Sequence, residues 1–580
     1  MDALYPPNGA RTFSISCIPT SAHPTFLRFP FPYHSAPLLR RSSTRHCFVL
    51  GKSPTRSDYI TDVWPDVWQW FRFFERFQSS APEELHIRDD FFNILGQAIW
   101  GILVSSPGNQ LVLNSPGSME LLVSFWLKED PSLRPFDRPP CVAALAAMLS
   151  DKDNDTVLPR FMACFEDLES SASDIADYVI SPLEGASRSR APDYLDCHIL
   201  LLMAVGKARV LRDALLHRGA VRAIVHSLLA VAPLFFDQRV TRRQSAFMMA
   251  TLCFHFFLDF LETGNAIRWT RSAIRGGLMT AFGILGPIYH SLDATLQSSM
   301  LTVLCDIIPR YSLYASVILP IARDMRRSEM QSCLTTIPES PLKTYLAFTS
   351  EFSLQRLHLK HQWDNSSDTG YCDACETRAP RSALKRCARC RSVMYCSEAC
   401  QVNGWPSHKH ECTDRAEWST SDMIQLSTRN RKFHSQCVLA DARNNLKTLR
   451  AGARTNYPDT TLTDLGILID YLQPTPRFSV FPVDDGSVHR DFQLQETTGT
   501  RWESVLTKAG QPRRRGRSTL IESRTCLGEK KAAFITLVVP ALWTDNEDSS
   551  LCDTDFRIVD AAAAYGRDRV DENHHEPLLS

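Results

Sequence analysis

The sequence of 580 residues lacks an apolar run long enough to cross a lipid bilayer. Its most apolar long stretch, residues 246–261, contains His255 and Asp259 and is shorter than the roughly 20 apolar residues of a transmembrane helix. A stretch of this length is typical of a helix in the core of a folded domain. We therefore expect a buried helix here and no membrane partner.

An excess of either charge is also absent, because 64 basic residues balance 64 acidic ones. Zero net charge excludes a general attraction to nucleic acid or to an anionic membrane. Of the 18 cysteines, seven lie between Cys372 and Cys412 and the others are scattered singly. Clustered cysteines without a secretory signal indicate metal binding in a reducing compartment. We therefore expect an intracellular location, in the nucleus or the cytoplasm.

Acidic residues are missing from residues 3–57, a Ser- and Pro-rich stretch with scattered arginines. Organelle transit peptides have a similar composition, but the prolines here interrupt any long amphipathic helix. We predict a disordered tail for residues 1–57.

Residues 58–360 show no alternation of strands with helices and no run of period-two strands. Apolar residues instead recur every three or four positions, as in Trp64, Val67, Trp68 and Phe71, which indicates amphipathic helices. Further helices are predicted for residues 119–128, 142–149, 195–216, 221–231, 278–288 and 296–308. The predicted fold class is therefore mainly α, built from packed helix pairs.

Two glycine turns in this helical domain precede apolar helices, one at Gly219 and one at Gly277. Armadillo-like repeats often enter their last helix through such a turn, and the region loosely resembles that family. With only two imperfect copies, a non-repetitive helical domain is an equally good interpretation.

Polar and apolar composition divides the rest of the chain, outside the cysteine cluster, into a linker, a folded region and a tail. Residues 361–371 form a polar, Gly-containing linker, and residues 546–580 form a polar tail that we predict to be disordered. Between them, after the cysteine cluster, residues 413–545 are predicted to be a small mixed α/β region. Its predicted elements are a helix at 422–449 and strands at 465–472, 478–483 and 534–539.

The cysteine cluster contains eight candidate metal ligands that fall into four pairs. In chain order they are Cys372, Cys375, Cys387, Cys390, Cys396, Cys400, His408 and Cys412. The first two pairs have CxxC spacing, which lets two thiolates of one tight turn reach the same ion at about 2.3 Å. The last two pairs are four residues apart, so on a helix their side chains project from one face. Eight ligands fill two four-coordinate sites, which predicts two structural Zn²⁺ ions per chain.

The order of these ligands and the residues around them resemble the MYND family of zinc fingers. The resemblance covers residues 372–412, including Tyr395-Cys396-Ser397-Glu398-Ala399-Cys400-Gln401 and Trp405-Pro406-Ser407-His408. It implies a small cross-braced double-zinc finger, with the first and third pairs on one zinc and the second and fourth on the other. A RING module also has eight cross-braced ligands, but its histidine usually lies near the middle of the order and its final pair is CxxC.

MYND fingers commonly bind short proline-containing peptides, so the resemblance implies that Ser397, Gln401 and Trp405 help to form a peptide groove. An indole face can support a proline ring, and a glutamine amide can bond an extended backbone. The alternative for Trp405 is packing against the zinc core without a ligand.

Basic residues in the finger could also indicate a nucleic-acid partner. They are Arg378, Arg381, Lys385, Arg386, Arg389, Arg391 and Lys409. Against Asp373, Glu376, Glu398 and Glu411 they leave a charge of +3, which seven thiolates and two Zn²⁺ ions (−7 + 4 = −3) offset. The finger is then nearly neutral, and nucleic-acid binding is not favoured.

No phosphate-binding loop, serine-hydrolase elbow or HExxH motif occurs in the sequence, so we do not expect an enzyme. The predicted function is that of an adaptor or regulatory scaffold, which uses its zinc finger to recognise proline-containing segments of a partner protein. The alternative is a SET-type protein-lysine methyltransferase with an inserted MYND finger. Against this alternative, the Asn-His-x-Cys segment of SET enzymes is missing, and helical sequence precedes the finger.

Overall fold

A computed structural model of the chain describes most of the sequence from Ser57 to Gly566. The described residues are 57–80, 91–103, 106–128, 140–150, 154–166, 170–189, 195–366, 369–375, 377–390, 393–420, 426–473, 475–483, 505–507, 509, 516–528, 530–539, 542–543 and 557–566. Except for Ser57, the tail predicted for residues 1–57 lies outside them.

The described residues belong to two compact units. The first takes its residues from Met1–Ile87 and Gln97–Ser118, and the second from Arg88–Gly96 and Met119–Ser580. Helices α1 (Ser57–Ser80) and α3 (Ser106–Asn114) pack together in the first unit, and α2 (Phe91–Leu103) crosses the boundary. Trp64 is buried in this unit, where its indole N–H donates to Ser115 Oγ at 2.8 Å.

The second unit begins with a long helical region. Its helices are α4 (Ser118–Lys128), α5 (Pro140–Leu149), α6 (Asn154–Glu166), α7 (Ala172–Ser189), α8 (Leu195–Val205), α9 (Arg209–Arg218), α10 (Ala220–Val231), α11 (Val240–Phe260), α12 (Ala266–Gly276), α13 (Leu278–Leu285), α14 (Ala294–Thr302), α15 (Ile308–Tyr311), α16 (Ala315–Met325), α17 (Ser328–Thr336) and α18 (Pro341–Ser366). The prediction of a mainly α fold is confirmed.

Several boundaries differ from the predicted ones for local reasons. The helix predicted for 195–216 is two helices, α8 and α9, because the chain turns at Gly206, where a Cβ would lie 2.4 Å from the Phe260 ring. The helix predicted for 296–308 contains a π-helical turn, Val303–Ile307. The buried stretch 246–261 corresponds to most of α11, whose Cys253, Phe254 and Phe257 have no exposed surface.

Both glycine turns are left-handed helix ends. Gly219 ends α9 with φ 105° and Gly277 ends α12 with φ 108°, a conformation that glycine adopts without steric cost. Each glycine is followed at once by the next apolar helix, α10 or α13. The armadillo-like resemblance stays a prediction.

Among the described residues no single helix is both long and apolar enough to span a membrane. Helices Arg209–Arg218 and Ala220–Phe236 reach the required length and composition only as a pair, and they are bent by 65°.

The finger consists of two short hairpins and a helix. Strands β1 (Thr369–Tyr371) and β2 (Arg378–Pro380) pair antiparallel, as do β3 (Lys385–Arg386) and β4 (Met394–Tyr395). Helix α19 (Glu398–Thr420) follows. The linker predicted for 361–371 differs from this structure, because α18 continues to Ser366 and β1 begins at Thr369.

The C-terminal region combines two helices with a five-stranded sheet. Its elements are α20 (Thr428–Asn444), α21 (Leu446–Asn456), β5 (Leu465–Asp470), β6 (Arg477–Pro482), β7 (Thr519–Leu527), β8 (Lys530–Val539) and β9 (Arg557–Gly566), with the strand order β6-β5-β7-β8-β9. Only β5 and β7 pair parallel. The predicted strands correspond to β5, β6 and β8, and the predicted helix at 422–449 is divided between α20 and α21 at Asn445.

Two strands of this sheet were not predicted, and one of them corrects the predicted tail. Strand β9 lies within residues 546–580, where we predict disorder. It pairs with β8 over its whole length, with Lys531 opposite Gly566. Pairing with an existing strand supplies backbone hydrogen bonds that the weak strand signal of its alanine run does not reveal.

Candidate metal centre

The first two ligand pairs are presented by tight turns whose backbone bonds to residues directly before β2 and β4. Cys372 N–H donates to Thr377 O at 3.0 Å, which closes the first CxxC turn. Cys387 N–H donates to Val393 O at 2.9 Å and anchors the second. Backbone hydrogen bonds of this kind hold the two turns in the conformation that presents the thiols.

Asp373 connects the two hairpins of the finger. Its N–H donates to Met394 O at 2.8 Å, and its carboxylate accepts from Met394 N–H at 2.6 Å. Met394 lies on β4, directly before the third ligand pair. This double contact places the first and third pairs side by side. Because it joins residues 21 positions apart, the sequence alone did not reveal it.

Helix α19 carries the remaining ligands. Ser397 caps the start of the helix, since its Oγ accepts from Cys400 N–H at 3.1 Å. Cys400, His408 and Cys412 are separated by eight and then four residues, so they lie on one side of the helix. One helix therefore contributes ligands to both metal sites.

The eight ligand atoms form two groups. Cys372, Cys375, Cys396 and Cys400 make the first group, and Cys387, Cys390, His408 and Cys412 make the second, with all atoms of a group within 4.8 Å of one another. This is the cross-braced arrangement that the resemblance to MYND fingers implies.

The distances within each group fit tetrahedral zinc. In the first group Cys396 Sγ lies 3.5 Å from Cys375 Sγ and 3.5 Å from Cys400 Sγ. In the second, Cys387 Sγ is 3.7 Å from Cys412 Sγ. A tetrahedron with Zn–S bonds of about 2.3 Å has edges of about 3.8 Å, whereas a disulfide would bring the sulfurs to about 2.0 Å.

His408 also fits the tetrahedral geometry of a zinc site. Its Nε2 lies 3.4 Å from Cys390 Sγ, and an S–N edge of a zinc tetrahedron measures about 3.6 Å. Three thiolates with one imidazole, and four thiolates alone, are typical donor sets of structural zinc. The two clusters thus fit two zinc ions, as the sequence predicts.

Electrostatics within the first group favour a bound cation. Hydrogen bonding, first with the Thr377 hydroxyl and backbone, lowers the pKa of Cys375 to about 6. Hydrogen bonds with Cys375 and Cys400 raise the pKa of Cys396 to about 12. Crowded thiols cannot all ionise at neutral pH unless a cation offsets their charge, and Zn²⁺ supplies that charge.

The two sites differ in burial. His408 and the three thiols of the second group are all at most 6% exposed, and they pack with Val393 and Tyr395. In the first group Cys375 is exposed. Each group already provides four ligands, which leaves no open coordination position for a substrate or an activated water. Two zinc ions bound in this way would have the full coordination that is typical of structural zinc.

The three residues of the implied peptide groove lie at the start of α19, with Ser397 at its cap and Gln401 and Trp405 in its first turns. Ser397, Gln401 and Trp405 are spaced by four, which places them on one face of the helix. Ser397 and Gln401 are half-buried, and Trp405 is 39% exposed. The Trp405 ring meets the ring of His408 edge-on at 5.8 Å. Trp405 thus touches the metal core and also keeps a large exposed surface.

The fold adds cations to the finger that the sequence did not assign to it. Positive charges of Arg381 and Arg386 act on Lys432, near the start of α20. Lys432 lies outside residues 372–412, over which the charge of the finger was balanced. No local sequence motif connects Lys432 with Arg386. This electrostatic influence could be found only from the tertiary structure.

Comparison with known proteins supports the assignment of the finger. Residues 372–412 match the family described as MYND finger. N-lysine methyltransferase SMYD2 of Homo sapiens and of Gallus gallus are each 33% identical over 73 residues, which cover 11% of this chain and 16% of the relative. N-lysine methyltransferase SMYD2-B of Xenopus laevis is 35% identical over 63 residues, covering 10% of this chain and 14% of the relative.

The similarity is therefore confined to a short segment, and the chain spans about one sixth of the length of these relatives. No solved structure matches the chain. The matched residues hold all eight metal ligands and the three residues of the implied groove. The segment from Cys372 to Cys412 is a MYND finger.

Proposed function

We propose that this chain is an adaptor or regulatory scaffold whose MYND finger recognises a short proline-containing segment of a partner protein inside the cell. The observation that carries the proposal is the row of Ser397, Gln401 and Trp405 along the start of α19, in which Trp405 is exposed and the other two are half-buried. MYND fingers are protein-interaction modules in general, and this finger has the complete set of ligands.

The geometry of α19 explains how metal binding would support recognition. Cys400, His408 and Cys412 fix the helix to both zinc sites, so the groove residues on the same helix are held in place. A pre-ordered groove loses little conformational entropy when a peptide binds. Zinc is then needed to shape the surface without touching the peptide.

The groove residues provide two kinds of contact. The exposed part of the Trp405 indole offers a flat apolar platform for a proline ring. Within the described part of the chain the Gln401 side-chain amide has no protein partner, so it is available to an extended peptide backbone. Neither contact depends on charge.

Binding of a proline-scanning set of synthetic peptides to the full chain, followed by fluorescence polarisation, tests this proposal. Replacing Trp405 by Ala should weaken the best peptide by about 2 kcal/mol, or roughly 30-fold in Kd, and Gln401→Ala by less. Both variants should retain two zinc ions by elemental analysis. Phe348→Ala is a matched control, because Phe348 is an exposed aromatic residue of α18, 55% exposed.

Two outcomes would argue against the groove. If Trp405→Ala releases zinc, the indole is part of the metal core and its effect on binding is indirect. If Trp405→Ala binds as well as Phe348→Ala does, recognition occurs elsewhere in the chain.

The comparisons add only the names of the relatives to the methyltransferase alternative that the MYND resemblance raises. Their similarity to this chain is limited to about a tenth of its length and coincides with the finger. Incubation of the full chain with S-adenosylmethionine and histone or peptide substrates tests it directly. We expect no turnover, and turnover that a point change outside the finger abolishes would favour the enzyme.

A further inference from the structure

Three arginines lie along one side of α12, and we call them the arginine row: Arg268, Arg271 and Arg275. At 3.6 residues per turn, positions i, i+3 and i+7 of a helix lie within about 60° of one another around its axis. With a rise of about 1.5 Å per residue, the row is about 10 Å long. Arg268 and Arg275 are exposed and Arg271 is half-buried. The arginine row is therefore the side of α12 that faces solvent.

Trp269 holds the first guanidinium of the row in place. The Arg268 Cζ atom lies 5.1 Å from the centre of the Trp269 ring, which is a cation–π distance. This ring is only 3% exposed, and the His217 ring of α9 meets it edge-on at 5.2 Å. A guanidinium that already rests on a fixed ring loses little side-chain freedom when an anion binds. Arg268 is thus pre-ordered for a partner.

Within the described part of the chain, no carboxylate forms an ion pair with the arginine row. Helix α12 itself contains no acidic residue, and the acidic residues that flank it in sequence have other partners. Glu262 accepts from Arg310 Nη1 at 3.0 Å. Asp293 caps α14, where it accepts from Leu296 N–H at 2.9 Å. The charge of the row is therefore open to a partner from outside.

The arginines of the row also repel one another. Like charges three or four residues apart on a helix destabilise it. Partial burial, and then the charges of Arg275 and Arg268, lower the pKa of Arg271. A bound anion would relieve this repulsion, and the planar fork of a guanidinium fits a carboxylate with two parallel hydrogen bonds.

We propose that the arginine row docks an acidic helix of a partner protein, whose carboxylates repeat at i, i+3 and i+7. Such a helix has the same rises as the row, about 4.5 Å and then about 6 Å. Same-face side chains of an extended strand recur about every 6.6 Å, so they match the row less well. Duplex nucleic acid usually requires about 6–10 neutralised phosphates, whereas the row has three cations and the whole chain has no net charge. The surface lies outside the finger, so the inference goes beyond the recognition of proline peptides.

The test measures binding of labelled, alanine-rich helical peptides to the full chain by fluorescence polarisation. The row peptide has glutamates at i, i+3 and i+7, a second peptide has glutamine at these positions, and a third has the same glutamates distributed around the helix. We expect the row peptide to bind best, at least about tenfold better than the glutamine peptide in about 50 mM salt. This preference should decrease in about 200 mM salt, because salt screens exposed charges.

Charge reversal in the double variant Arg268→Glu/Arg275→Glu should weaken binding of the row peptide at least about tenfold. The matched control is Arg239→Glu/Arg243→Glu, which changes net charge equally at exposed positions at the start of α11. It should bind the row peptide like the unchanged chain. The neutral variant Arg268→Gln/Arg275→Gln should show a smaller loss than charge reversal does. Urea unfolding of every variant should resemble that of the unchanged chain, since all substituted side chains are exposed.

Equal binding of the row peptide and the glutamine peptide, or equal loss in both charge-reversed variants, would overturn the proposal. Equal binding of the row peptide and the peptide with distributed glutamates would overturn it as well. Tighter binding of a single-stranded oligonucleotide with the same number of charges would overturn it in favour of nucleic acid. Trp405→Ala should leave binding of the row peptide intact while it weakens the proline peptides, so failure of one proposal is distinguishable from failure of the other.

Discussion

Replacing Asp441 by Ala should destabilise the chain far more than loss of an ordinary ion pair does. Arg356 of α18 is buried, with 6% of its side chain exposed, and its Nη2 lies 2.6 Å from Asp441 Oδ2. Tyr471, which follows β5, donates its hydroxyl to the same oxygen at 2.6 Å. Asp441 thus holds together α18, α20 and the end of β5.

The magnitude follows from what the substitution leaves behind. Without the carboxylate, a guanidinium stays buried without a counter-charge, which costs about 3–5 kcal/mol. The Tyr471 hydroxyl loses its acceptor, which adds about 1 kcal/mol. At roughly 2–4 °C per kcal/mol for a domain of moderate size, Tm should fall by on the order of 10 °C.

A surface pair gives the matched control. Arg218 and Asp177 lie 3.0 Å apart, with 44% and 50% of their side chains exposed. Solvent screens such a pair, so Asp177→Ala should cost less than about 1 kcal/mol. The double variant Arg356→Met/Asp441→Leu should recover most of the loss, because it removes both buried charges together.

Thermal and urea unfolding of the full chain, with zinc content measured alongside, would determine these differences. If Asp441→Ala is no more harmful than Asp177→Ala, the buried network is not a source of stability. The same conclusion holds if the double variant is as unstable as the single one.

Three further predictions concern the metal, the sheet and pH. The purified chain should hold two zinc ions by elemental analysis, and Cys390→Ala should make only the finger sensitive to protease, since zinc supplies the folding energy of so small a module. Gly528→Ala should cost about 1–3 kcal/mol in urea unfolding, because Gly528 has φ 78° and a Cβ would lie 2.5 Å from Gly264 O. Gly516→Ala, with φ 74° and no close neighbour, should cost less. Burial, and then the charge of Arg356, lower the pKa of His434 to about 3 from its ordinary 6.5. Unfolding therefore takes up a proton between these pH values, and the free energy of unfolding should fall as pH drops from about 6.5 towards 3. In urea unfolding at several pH values, a His434→Phe variant should show a flatter dependence of this free energy on pH.

The finger could be predicted from sequence because each of its ligand pairs is local. CxxC turns and the i, i+4 pair His408/Cys412 on α19 bring two donors together with no help from the rest of the chain. Cys396 and Cys400 are also four apart, but Cys396 lies before the helix begins, so this pair meets across the helix start. Spacing could not show which pairs share an ion, and the grouping came from the resemblance to MYND fingers. In the structure, Asp373 and α19 bring those pairs together.

Strand β7 shows why part of the sheet could not be predicted. It contains Glu522, Ser523, Arg524 and Thr525, a polar run that does not resemble a core strand. All but Arg524 are buried, because the strand lies between β5 and β8 and packs against α20. Arg524 lies 3.1 Å from the Glu522 carboxylate, and Thr525 meets the Tyr314 hydroxyl at 3.3 Å. Tyr314 is distant in sequence from Thr525, and the hydrophobic pattern gives no sign of the Glu522–Arg524 ion pair.

Buried polar residues also made the end of α18 hard to predict from sequence, and the position of this helix matters for function. The predicted helical domain ends at residue 360, and a polar, Gly-containing linker is predicted for residues 361–371. Arg356 and Lys360 are instead buried, at 5% and 1% exposure, and α18 packs against α20. The helices that precede and follow the finger therefore touch each other. With both of its ends anchored in one body, the finger should lose little orientational freedom when a partner binds, and this lowers the entropic cost of recognition.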